Sequence, residues 1–162
     1  MQKHILSVLT ENKSGVLSRI SGLLRRKLFN IHSLTVGVTQ DPNISKFTIV
    51  ISGDLTRANQ AASLIEKLVE ILSVKILDIK NTIFREIVLA KLKVKTKKEK
   101  DFLHTIEKEV LTKEIYHSKD ILYLELIDTS KKLESFLKKL KTTNIEIKDW
   151  VRSGVIAIEK PR

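Results

Sequence analysis

Ile5-Leu6-Ser7-Val8-Leu9-Thr10-Glu11-Asn12-Lys13-Ser14-Gly15-Val16-Leu17-Ser18-Arg19-Ile20 decides the fold, because an apolar strand pattern runs through a short polar turn straight into a helical one. The run from His4 to Leu9 suits a strand. Val16, Leu17, Ile20, Leu23, Leu24 and Leu28 then recur at helical spacing, with Ser18, Arg19, Arg25 and Arg26 largely on the other side. Amide groups at a helix start lack partners within the helix and carry the positive end of its dipole, so such a turn can receive a carboxylate without any catalytic side chain. Gly15 lets a ligand approach the backbone closely. A second polar element, Phe29-Asn30-Ile31-His32-Ser33-Leu34-Thr35-Val36, marks a helix giving way to a strand. The pair reads as a sensor for a small metabolite.

Working outward, strands are expected near Ile5 to Thr10, His32 to Thr39, Lys46 to Ser52 and, more weakly, Val74 to Ile79. Asp41-Pro42-Asn43 supplies the turn between the second and third. A second helix is expected from about Thr56 as N-cap, with Ala58, Ala61, Ala62, Ile65, Leu68, Val69 and Leu72 facing inward. The order is βαββαβ. The second half repeats it, with strands near Ile83 to Lys95, Glu114 to Tyr116, Ile121 to Ile127, Ile145 to Val151 and Gly154 to Ile158. Thr96-Lys97-Lys98-Glu99 has capping-box spacing before the helix carrying Phe102, Leu103, Ile106 and Val110, and Asp128-Thr129-Ser130 opens the helix carrying Leu133, Phe136, Leu137 and Leu140. The expected class is α+β, with two ferredoxin-like βαββαβ domains over residues 1–78 and 83–162. A four-stranded sheet with both helices on one face leaves the other face and its edges open, and a homodimer is the preferred cover.

Composition narrows the function classes. The 162 residues include no cysteine, which rules out disulfides and thiolate metal sites and suits a reducing compartment. The N-terminal residues enter a strand pattern at once, and no apolar stretch approaches the roughly 20 residues needed to span a bilayer, so a cytoplasmic or plastid-stromal protein is expected. The net charge of +11 is spread evenly, with 11 basic and 6 acidic residues in the first 80 positions and 19 and 13 in the rest. Lys91, Lys93, Lys95, Lys97, Lys98 and Lys100 form the one dense run, read as a solvated strand face and a protected edge rather than a nucleic-acid site.

Catalytic motifs are missing. His4, His32, His104 and His117 show no metal-ligand spacing, no GxSxG elbow is present, and the five glycines form neither a Walker A loop nor GxGxxG. No catalytic residue, metal or resident cofactor is expected. The βαββαβ order also suits an RNA-recognition module, but Lys46-Phe47-Thr48-Ile49-Val50-Ile51 has a single aromatic, and only 5% of the chain is aromatic.

Four stretches carry a resemblance: Ile5 to Arg19 as quoted above, Asn30-Ile31-His32-Ser33-Leu34-Thr35-Val36, Arg85-Glu86-Ile87-Val88-Leu89-Ala90-Lys91, and Val151-Arg152-Ser153-Gly154-Val155-Ile156-Ala157. In order, and over nearly the whole chain, they resemble the regulatory small subunit of acetolactate synthase, also called acetohydroxyacid synthase. That resemblance implies an N-terminal ACT domain followed by a C-terminal domain of similar topology. It also implies a noncatalytic subunit that binds the catalytic large subunit, activates it and confers feedback inhibition by valine in branched-chain amino-acid biosynthesis. Thiamine diphosphate, magnesium and FAD are then expected in the partner, not here. The valine site it implies lies between two ACT domains, with Asn12, Ser14, Gly15, Val16 and Leu17 from one chain and Asn30 and Ile31 from the other. On that reading the Gly15 to Leu17 amides take the carboxylate, the Asn12 and Asn30 side chains help hold the ammonium, and Val16, Leu17 and Ile31 supply apolar surface. Each residue also has a local reading: Asn12 and Ser14 as helix caps, Asn30 as a turn former. A free-standing amino-acid sensor is the alternative, with a basic RNA-binding module behind it.

Overall fold

A computed structural model describes residues 2–161, in two compact units. The first holds β1 (Lys3–Glu11), α1 (Val16–Arg26), β2 (Ile31–Val38), β3 (Ile44–Ser52), α2 (Leu55–Ile65) and β4 (Ile71–Leu77). Its antiparallel sheet has the order β2-β3-β1-β4. Strand β5 (Thr82–Lys93) leads into the second unit, with α3 (Lys97–Glu107), β6 (Leu111–Ser118), β7 (Ile121–Asp128), α4 (Ser130–Leu140) and β8 (Glu146–Arg152) in the matching order β6-β7-β5-β8. Both units are ferredoxin-like α+β folds.

Alternation explains each core. In β1 and β3, Leu6, Val8, Phe47, Ile49 and Ile51 meet Val16, Ile20 and Leu24 of α1 and Ala58, Ala61 and Ile65 of α2. The second unit does the same with Val88, Ala90 and Leu92 of β5 and Leu122, Leu124 and Leu126 of β7, packed against Leu103, Ile106, Leu133, Phe136 and Leu140. Phe47 is therefore spent on the helix side, not displayed on the open face where RNA bases would stack.

The last strand departs from the expected packing. Residues from Val155 onward group with the first unit, and β9 (Ile156–Glu159) pairs with β5. Val155 is buried with Ile5, Val50 and Leu77, while Phe84 and Ala157 pack around them. Part of the sheet face expected to need a second chain is thus covered by this chain's own tail, because three apolar side chains there offer more burial than solvent does.

Two helix ends also differ. Asp54, not Thr56, caps α2, its Oδ1 accepting from the Arg57 amide at 2.8 Å. The helix stops at Ile65, and successive turns (Leu68 N–H to Ile65 O, Ile71 N–H to Leu68 O) start β4 early, which leaves Val69 91% exposed. Leu28 was expected in the core face of α1 and is instead 85% exposed. Phe29 N–H bonds Leu24 O and Leu28 N–H bonds Arg25 O, a Schellman closure that puts Leu28 in the left-handed region at φ 57 and gives its core place to Phe29. In the second unit the Thr96–Glu99 capping box forms as read.

Glu86 ties β5 to β8. Its side chain is 5% exposed and accepts from Arg152 Nε at 2.7 Å, from a second Arg152 nitrogen at 2.6 Å and from Ser130 Oγ at 2.8 Å. The carboxylate holds the Arg152 guanidinium above its ordinary value. Breaking a buried pair from one side strands the other charge at a cost of several kcal/mol. Arg152→Met is expected to lower unfolding free energy by about 3 kcal/mol, read by urea denaturation.

Candidate functional site

The polar turn is built by three strand ends that arrive together. Pairing of Glu11 with Ile44 brings the end of β1 beside the start of β3, and the Asn12 amide donates to Asn43 O at 2.6 Å. The Asn12 side chain then spans the gap: Nδ2 donates to Pro42 O at 2.9 Å, and Oδ1 accepts from Ser45 Oγ at 3.1 Å. Asn12 is a brace between loops, not a helix cap. Ser14 is exposed, and no side chain caps α1.

Gly15 is the N-cap residue itself, at φ 85 and ψ −12. Its left-handed backbone suits glycine and turns the chain so that the first amides of α1 stay open to a ligand. Val16 is 3% exposed and packs in the core, whereas Leu17 is 45% exposed. Two residues not singled out from the sequence stand beside the turn. A Cβ placed on Gly15 would lie 3.7 Å from an Arg19 guanidinium nitrogen, and Arg19 pairs with Glu70, which is 8% exposed. The Glu70 carbonyl accepts from Thr10 Oγ1 at 2.8 Å and from the Glu11 amide at 2.9 Å, so it anchors the end of β1. Arg19 was legible as the residue one helical turn beyond Gly15; Glu70 lies too far along the chain for any spacing argument.

Asn30 and Ile31 do not join this group within one chain. Ile31 pairs with Ile51, which pairs with His4, whereas the turn follows Glu11. Seven residue steps along β1 separate the two levels, about 23 Å at ~3.3 Å per residue. Asn30 is exposed, and its carbonyl accepts from the Ser52 amide at 3.3 Å. Among the described residues no group of three or more His, Asp or Glu stands close enough to hold a metal ion, and no helix is long and apolar enough to cross a membrane.

With this geometry in view, comparison with known proteins is decisive. Residues 6–73 match the model of the AHAS small subunit-like ACT domain, and residues 85–161 match that of the small subunit of acetolactate synthase. The chain belongs to the acetolactate synthase small subunit family. The small subunit of Buchnera aphidicola subsp. Schizaphis graminum is 38% identical over 98% of this chain and 99% of its own. The isozyme 3 small subunit of Escherichia coli is 35% identical over 98% of this chain and 96% of its own. The crystal structure of the Thermotoga maritima small subunit superposes with a TM-score of 0.88 at 27% identity, covering 100% of this chain and 99% of that one. The family assignment thus embraces both units, including the tail that returns to the first.

Asn12→Ala removes both side-chain bonds of the brace and leaves the Ser45 hydroxyl, 5% exposed, without this acceptor. The expected cost is about 1–2 kcal/mol, measured as a lower denaturation midpoint with the slope unchanged.

Proposed function

We propose that this chain is the regulatory subunit of an acetolactate synthase, which binds the catalytic large subunit, raises its activity and makes it respond to valine. Small-subunit membership over the full length supports the partnership, since a small subunit implies a larger one. In this reading thiamine diphosphate, magnesium and FAD belong to that partner.

The observation that carries the effector site is the separation just described. A ligand gripped by the turn at Asn12 to Leu17 and also by Asn30 and Ile31 needs two copies of the chain. Strand β2 lies at the edge of the sheet, and β3 is its partner within it. A two-fold axis beside that edge sets two β2 strands antiparallel, which brings Asn30 and Ile31 of one copy to the Val38 end of the other, where the braced turn lies. The open amides of Gly15, Val16 and Leu17 then take the valine carboxylate. Val16 contributes backbone only, since its side chain is in the core; Leu17 and Ile31 face the isopropyl group. One methylene is worth roughly 1–3 kcal/mol in an apolar pocket, so leucine and isoleucine are the natural competitors.

Valine that closes this interface changes what the large subunit meets. Allosteric coupling of about 1–3 kcal/mol is enough for strong inhibition. Gly15→Asp tests the site, because aspartate tolerates the left-handed backbone and sets its own carboxylate where the ligand's must lie, close to Arg19. With the large subunit reconstituted across a valine titration, the variant is expected to activate normally and lose inhibition. Unchanged inhibition contradicts the assignment. A protein that binds valine and leaves acetolactate production unaltered is a free-standing sensor instead.

A further inference from the structure

The face of the first sheet turned away from its helices carries a row of hydroxyls. Thr35 of β2 pairs in register with Thr48 of β3, and Thr48 with Ser7 of β1, so the three side chains project to one side. The adjoining row of Val50, Ile5 and Leu77 is apolar and is covered by Val155 and its neighbours. Beside the hydroxyl row the cover ends. A cavity of about 580 Å³ opens there, bounded by Thr35, Gly37, Lys46, Thr48, Ile156 and Ala157.

Three features mark this cavity as more than a surface dimple. Thr35 Oγ1 is buried and has no hydrogen-bond partner among the described residues. A buried hydroxyl in that state is unfavourable unless something else completes it. Gly37 adds open space, since a Cβ there would meet no heavy atom within 4 Å. Lys46 supplies a cation, and none of the chain's ion pairs among the described residues uses it.

We infer that this cavity is a ligand site for a small aliphatic hydroxycarboxylate. The Lys46 ammonium takes the carboxylate as a charge-assisted hydrogen bond. The ligand's hydroxyl exchanges bonds with Thr48 and Thr35, since each of these groups both donates and accepts. Ile156 and Ala157 of β9 supply the apolar wall for a short branched body. Because β9 forms one side, occupancy steadies the tail against the sheet. The site shares no residue with the proposed valine turn and does not depend on it.

The experiment is calorimetric titration of 2-hydroxy-3-methylbutyrate into the intact protein, alongside Lys46→Met, Thr35→Val and Gly15→Asp. The expected result is saturable binding at one molecule per chain that weakens about tenfold or more in Lys46→Met and persists in Gly15→Asp. Thr35→Val is expected to weaken binding and to raise the thermal midpoint of the unliganded protein, because it deletes the unpartnered hydroxyl. No saturable heat with the unsubstituted protein overturns the inference. Equal binding by Lys46→Met and Thr35→Val also overturns it, as does loss confined to Gly15→Asp, which would put the acid in the valine turn.

Discussion

The register of β1 is the constraint on which the rest depends. Hydrogen-bonded on one side to β3 and on the other to β4, this central strand cannot slip by one residue without turning Leu6 and Val8 out of the core. Its length therefore sets where the polar turn emerges, and the same ladder sets where β2 begins. The two ligand-binding elements of the family end up at opposite ends of one sheet. A monomer holds two half-sites, and the chemistry of a whole one has to be assembled across an edge strand. This is a physical reason for a sensor of this fold to be built as a pair: effector binding and protomer geometry become one equilibrium, which a third chain can read.

Much of this was legible in the residues. Period-two and helical patterns located every core strand and helix, and the Thr96–Glu99 box and the Asp41–Asn43 turn closed as their spacing predicts. What escaped were features that long-range pairing decides. Leu28 fits the helical stripe by spacing, but the Schellman closure ends α1 first and Phe29 fills the core instead. Val69 and Leu72 fit the stripe of α2 equally well, yet the chain turns after Ile65 to meet β1. Periodicity continues past a helix end; hydrogen bonding does not.

The site shows the same division. The open amides, the special backbone of Gly15 and the polar character of the turn follow from local sequence. The bracing role of Asn12 does not, because its partners Pro42 and Ser45 are neighbours only once β3 has paired. Nor does the Arg19–Glu70 pair, which sets a cation beside the turn and fastens β4 to β1. The tail carries a similar lesson: Val155 follows the second unit in sequence and packs into the first, since the apolar row of Ile5, Val50 and Leu77 is where its side chain is best buried.

Mixing two damaged protomers tests the two-copy account most directly. Gly15→Asp spoils the turn, and Asn30→Ala spoils the opposite end, so neither variant alone retains a complete site. Unfolded together and refolded, they form mixed dimers in which one site carries both lesions and the other carries none. Valine binding by equilibrium dialysis is expected to be lost in each variant and to return in the mixture, in proportion to the mixed dimers. A mixture as inert as its parents would contradict the account.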